Sequence, residues 1–345
     1  MAYTTINKSS LHFNTKLYTG NGSTQSITGV GFQPDWVWLK KRDASASHEL
    51  YDAVRGVTKR LKSDATNAEF TDANTLTSFD SDGFSLGTGS GINSSSNTFA
   101  SWNWKAGGGQ GSSNTDGSIN TTYTSANTTS GFSISSYTGT GSNATIGHGL
   151  GVKPSMIICK KLNTTGSWIT YHSALGATKY LYLNTTDAEA ANSTVWQDIE
   201  PTTSVFSVGS ASNCNDSGAT YVAYCFAEKT GFSKFGTYKG NANADGAFIY
   251  TGFKPAFVLI KQSSASGENW NIYDNKRNTF NATDKALFAD ITNAEATKTG
   301  GMDFLSNGIK MRGTDGAFNT SQTYIYMAFA EAPLVGSNNT PATAR

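Results

Sequence analysis

The chain has 345 residues, of which 15% are charged, with 36 glycines, only 6 prolines and a formal net charge of +1. So small a charge gives no strong field for gathering phosphates or anionic lipid, which disfavours nucleic acid as a partner. No run of about 20 apolar residues is present, so no membrane-inserting helix is expected. Ser, Thr, Asn and Gly crowd the spaces between apolar runs, and 41 aromatic residues argue against disorder.

An N-terminal arm, 1–15, precedes the first recognisable element. From there one series of landmarks is written three times. Tyr18-Thr-Gly20 opens the first unit, PDWVWLK (34–40) follows, then Tyr51-Asp52, Asn67-Ala68-Glu69 and the closing run TFASWNWKA. The second unit gives Tyr137-Thr-Gly139, PSMIICK (154–160), Tyr171-His172, Asp187-Ala188-Glu189 and TYVAYCFAE. The third gives Tyr238-Lys-Gly240, PAFVLIK (255–261), Tyr273-Asp274, Asn293-Ala294-Glu295 and TYIYMAFAE. The closing runs begin 64, 66 and 68 residues after Pro34, Pro154 and Pro255. Five landmarks in one order at near-constant spacing define an internal triplication.

Each landmark reads as β-structure. Proline fixes φ and lacks an amide donor, so it suits the start of a strand. The apolar run after it has strand length and suits a strand covered on both faces. The closing run alternates, with Tyr324, Tyr326, Ala328 and Ala330 on one face and Ile325, Met327 and Phe329 on the other. Turn clusters such as Ser81-Asp82-Gly83 and Asp315-Gly316 separate the strands. A single helical turn is expected at the Asn-Ala-Glu segments, capped by Thr66 or Thr292. The expected fold is all-β: three tandem antiparallel β-sandwich (jelly-roll or lectin-like) repeats at 16–105, 132–229 and 232–333. A Gly/Ser/Thr-rich linker at 106–131 implies a mobile first junction, the join at 228–232 a stiff second one, and 334–345 a loosely held polar tail.

Few residues offer chemistry. His172 occupies a landmark position that is Asp52 or Asp274 in the other units, and reads as a small polar group at a strand end. Glu69, Glu189 and Glu295 recur without a second recurrent acid, so a structural task is expected rather than paired-carboxylate catalysis. Asp80-Ser-Asp82-Gly83 resembles the start of a calcium loop but lacks the later ligands. No metal, cofactor or catalytic set is called for, and an enzyme is not expected. Cys159, Cys214 and Cys225 form no paired framework, and with no signal-peptide core at the N-terminus they suggest folding in a reducing cytoplasm. Sugar rings pack on aromatic faces, which makes Trp168, Trp196 and Trp270 the candidate ligand-binding residues. Trp168 and Trp270 each fall three residues before a landmark tyrosine, which favours packing for those two.

The phrases GFQPDWVWLKKRD, YDAVRGVTKRL, SDGFSLGTGSG and SWNWKAGG, with GFSISSYTGTGSNATIGHGLGVKPSMIICKK, resemble repeat-containing structural or tail-associated proteins of marine tailed bacteriophages, over residues 1–333. The resemblance implies a lectin-like sandwich and a non-enzymatic virion protein displayed on the particle surface, as a tail fibre, spike or head decoration contributing to host attachment. Its partners would be other virion proteins, further copies of itself and a host-surface glycan. A carbohydrate-binding module acting outside a virion and a polysaccharide-degrading enzyme are the alternatives. The third unit departs from the pattern, with NKRNTF following its Tyr-Asp where the first has AVRGVT.

Overall fold

The computed structural model describes residues 3–338 and 341 and is all-β, built from antiparallel sheets. The main sheet of the first unit holds the strands Phe13–Thr19, Thr98–Trp104, Trp36–Lys41 and Glu49–Asp52, in that spatial order. The same order recurs as Phe132–Thr138, Thr220–Phe226, Met156–Lys161 and Ile169–His172, and again as Ser233–Lys239, Thr323–Pro333, Phe253–Gln262 and Asn271–Asp274. Register recurs with it. Trp36 pairs with Asp52 and Trp104, Met156 with His172 and Phe226, and Phe257 with Asp274 and Phe329.

The apolar runs after the prolines are central strands, and both faces are covered. Trp36 and Trp38, Met156 and Ile158, and Phe257 and Leu259 all enter one apolar core shared by the three units. The alternate residues enter a smaller core within each unit: Val37 and Leu39, Ile157 and Cys159, Val258 and Ile260. The closing strand of the third unit divides as its period of two predicts, Ile325, Met327 and Phe329 inward to the shared core and Tyr324, Tyr326, Ala328 and Ala330 to the local one. A second, smaller set of strands covers each local core, for example Ala144–Gly147 paired with Val205–Val208.

The units are therefore not separate sandwiches on a string. Their main sheets carry more aromatic surface than one unit covers, and they bury it against one another: the Trp36 ring lies 4.6 Å from Tyr224, and Phe13 lies 5.0 Å from Phe329. The N-terminal arm joins this packing through Ile6 and Phe13.

The expected mobile linker is fastened. Asp35, buried next to Pro34, accepts hydrogen bonds from the N–H groups of Ala106, Gly108 and Gly109 at 2.7, 3.0 and 2.7 Å. Gly108 and Gly109 have φ of +85° and +137°, conformations that let neighbouring amides turn toward one carboxylate. Farther on, Tyr123–Asn127 is a strand paired with Phe132–Thr138. The helical turn expected at the Asn-Ala-Glu segments is also absent. These segments have no regular secondary structure, and each lies on the neighbouring unit, to which the N–H of its glutamate is hydrogen-bonded. Of the polar tail, 339–340 and 342–345 lie outside the described residues; Leu334 donates to the Gly252 carbonyl and Ser337 exchanges hydrogen bonds with Asn7.

Candidate functional site

The lysine that ends each proline phrase is fully buried, an arrangement tolerated only when the ammonium is hydrogen-bonded. Lys40 Nζ donates to the carbonyls of Ala46 and Thr292, at 2.8 and 3.0 Å. Lys160 donates to those of Lys161 and Thr66, at 2.7 and 3.3 Å, and Lys261 to those of Glu268 and Thr186, at 2.6 and 2.9 Å. In every case one acceptor belongs to another unit: the first unit grips the third, the second grips the first, and the third grips the second. Backbone bonds follow the same circuit, with the N–H of Glu69, Glu189 and Glu295 donating to Leu162, Ser263 and Arg42. Three units linked head to tail in this way close into a ring. Burial lowers the pKa of all three lysines to about 8.

The landmark carboxylates and His172 form a second circuit. Asp52 accepts from the Tyr224 hydroxyl of the second unit at 2.7 Å, and Asp274 from Trp102 Nε1 of the first at 3.1 Å. Each is also paired with an arginine three residues on, Arg55 or Arg277. The second unit has Leu175 in place of that arginine, and Met327, which holds the closing-run position of Tyr224 and Trp102, has no donor. His172 suits this environment: its Nδ1 accepts from the Ala174 N–H, so its Nε2 carries the hydrogen and donates to the Tyr326 carbonyl at 3.2 Å. Burial lowers its pKa to about 4. The recurrent glutamates act as ion-pair partners, Glu69 with Arg55, Glu295 with Arg277 and Arg42, and Glu189 with Lys179.

The three candidate tryptophans present no face to a ligand. Trp168, Trp270 and Trp196 are 0%, 1% and 2% exposed. Trp168 and Trp270 reach into the preceding unit, donating Nε1–H to the carbonyls of Lys62 and Tyr182. Trp196, bracketed by polar residues in sequence, closes a one-turn helix at Ser193–Trp196 and turns inward against Tyr171 and Phe206. Asp80 and Asp82 are spent on turn hydrogen bonds, Asp82 accepting from the N–H groups of Gly29 and Gly31. All three cysteines are buried free thiols, pushed up in pKa by burial.

Sequence reading missed one recurrent group. Asn93, Asn215 and Asn319 are fully buried and donate Nδ2–H to the carbonyls of Gly87, Gly209 and Gly313. Their Oδ1 atoms accept from the backbone just after the landmark glycines. Those glycines are needed because a Cβ there would stand 2.1–2.3 Å from a carbonyl oxygen. A spacing of four or five residues before each closing strand was the available signal.

Open surface lies elsewhere. A cleft of about 460 Å³ in the third unit is lined by Lys254, Asn275, Thr279, Phe280, Phe304 and Glu331 among others. Phe280 is 85% exposed, the highest value among the exposed large apolar side chains of the described residues. A second cleft, about 400 Å³, lies between the first and second units beside Arg60 and Phe70, whose guanidinium and ring are 5.2 Å apart.

Fold and site together define an all-β protein whose recurrent polar residues tie three strand-order-equivalent units into a closed ring. The chain belongs to the family described as Domain of unknown function (DUF7483), which matches residues 8–333. No curated protein matches it.

Proposed function

We propose that this chain is a non-enzymatic structural protein displayed on the surface of a tailed-bacteriophage particle, as a compact appendage or decoration, where it contributes to attachment to the host surface. The observation that supports this reading is the use made of the recurrent polar residues. Lys40, Lys160 and Lys261, the acids Asp52 and Asp274 with His172, and the three glutamates are all engaged in hydrogen bonds or ion pairs, most of them across unit boundaries. What the triplication repeats is a means of holding units together. The resemblance to phage tail-associated proteins supplies the setting, and its partners there would be other virion proteins and further copies of this chain.

The reading is tested on particles. Mass spectrometry of gradient-purified virions from the source phage should find the protein at defined stoichiometry, and a gold-labelled antibody against the folded chain should mark intact particles. A chain absent from purified particles and recovered only from the medium would favour the alternative of a binding module acting outside a virion.

A further inference from the structure

We propose that the cleft beside Phe280 is a binding site for a neutral pyranose sugar. The assignment deepens the attachment reading, and it is carried by a loop that only the third unit has. From the landmark acid or histidine to the lysine that pairs in the next strand (Lys59 with Thr71, Lys179 with Ala191, Lys285 with Thr297), the first and second units use seven residues (Asp52 to Lys59, His172 to Lys179), whereas the third uses eleven, Asp274 to Lys285. The added residues include Asn278, Thr279, Phe280 and Asn281.

The loop is held in place. Asn281 Oδ1 accepts from the Phe304 N–H at 2.9 Å while its Nδ2 donates to the Phe304 carbonyl at 3.2 Å. Asn278 accepts from the N–H groups of Asp284 and Lys285 and donates to the Asp284 carboxylate. Both asparagines are thus spent on fixing the loop, and Phe280 stands between them on a braced backbone with its ring in solvent. Exposing an aromatic ring in this way has no folding advantage, while a sugar's apolar C–H face packs on such a ring.

The rest of the cleft supplies polar groups of the kind hydroxyls require. A sugar hydroxyl both donates and accepts, so it matches a site that offers both. Asn275 Oδ1 is a buried acceptor with no partner in the described structure. Lys254 and Glu331 form an ion pair at 2.6 Å, with side chains 30% and 39% exposed, and provide a donor and an acceptor side by side. Because that pair is internally neutral, the cleft has no excess charge to favour an anionic sugar. Its volume lies within the range of about 300–1,000 Å³ usual for small-molecule sites.

Saturation-transfer NMR of the full chain with the neutral sugars glucose, galactose, mannose and N-acetylglucosamine and the acidic sugars glucuronate and sialic acid, each at millimolar concentration, tests the assignment. At least one sugar should receive transfer, and Phe280→Ala and Asn275→Ala should each weaken its binding at least tenfold without lowering Tm. Phe70→Ala, at the other cleft, should leave binding unchanged. Absence of transfer to every sugar overturns the site, as does unaltered binding in Phe280→Ala. Transfer to glucuronate or sialic acid alone overturns the neutral assignment. None of these results depends on whether the protein is found on particles, so the site and the virion reading fail separately.

Discussion

The Tyr224 hydroxyl donates to the Asp52 carboxylate at 2.7 Å, across the boundary between the second unit and the first. The same position in the first unit is Trp102, which donates to Asp274. In the third it is Met327, which cannot donate, and the second unit's landmark residue, bonded to the adjacent Tyr326 carbonyl, is a histidine, not an acid. Donor and acceptor have changed together around the ring, as expected when an unpartnered buried carboxylate is costly.

His172→Asp should therefore destabilise the protein by about 3–5 kcal/mol, the cost of a buried charge without its partner. Adding Leu175→Arg and Met327→Trp supplies the guanidinium and the N–H that the other units use, and should recover at least half of the loss. Guanidinium denaturation of the three proteins measures this. No recovery in the triple variant would mean that the circuit does not set the choice of His or Asp.

Much of this organisation was legible in sequence. Pro34, Pro154 and Pro255 marked strand starts because proline is confined there, and the alternation in TYIYMAFAE assigned its residues to two faces. The ring was not legible. Lys160 could be seen to recur, but its partner Thr66 lies 94 residues away in another unit, and a hydrogen bond to a backbone carbonyl leaves no mark on the identity of the accepting residue. The inward turn of Trp196 was illegible for a related reason. Polar neighbours suggested exposure, yet a one-turn helix capped by Asn192 turns the indole inward. The Gly run at 107–109 looked like a linker because composition reports only freedom, and the Asp35 carboxylate that removes that freedom is some 70 residues upstream in sequence.

Lys160 should show an unusual pH dependence. Its folded pKa is about 8 against 10.5 for the free group, with burial the main cause and Arg55 and Lys161 adding to it. Between those values the unfolded chain binds the proton that the folded chain has lost, so this lysine's contribution to stability rises with pH. The stability of the wild type relative to Lys160→Met should therefore increase from pH 8 to pH 10, by at most about 1.4 kcal/mol per unit. A flat or falling difference, measured by urea denaturation, contradicts a buried lysine that gives up its proton near pH 8.

His172 works in the same direction, on the acid side of neutrality. Burial holds its pKa near 4, below the ordinary 6.5, so the unfolded state takes up a proton first as the solution is acidified. Its contribution is present in full above about pH 6.5 and is lost as pH falls toward 4. His48 and His148 are lowered by burial as well and act in the same sense. Thermal melts from pH 7 to 4 should show falling Tm, with a shallower fall in His172→Gln. An equal slope in the two proteins would remove His172 from this account.

Asp35→Ala should loosen the first junction. Three N–H groups lose their acceptor at once; that of Ala106 is buried, and leaving a buried donor unpaired costs about 1–3 kcal/mol. The more specific sign is local. Trypsin has no site between Lys105 and Lys153, so a broad-specificity protease such as subtilisin is the appropriate probe. New cleavage should map to 106–114 under conditions where the wild type resists. A variant as resistant as the wild type would show that the carboxylate is not what fastens the glycines.

Trp196→Ala and Phe280→Ala separate burial from binding. Trp196 is 2% exposed and lies 6.1 Å from Tyr171 and 6.5 Å from Phe206, ring centre to ring centre. Its indole N–H has no partner among the described residues, so truncation sacrifices packing alone, and the cavity left by the ring should cost about 3–5 kcal/mol. Phe280 is 85% exposed, and its removal should change stability by less than about 0.5 kcal/mol. The contrast should reverse in host adsorption, where the Trp196 variant, assayed below its lowered Tm, binds like the wild type and the Phe280 variant does not. A stable Trp196→Ala protein that has lost adsorption would return the binding face to the second unit, and would mean that its local core opens in solution.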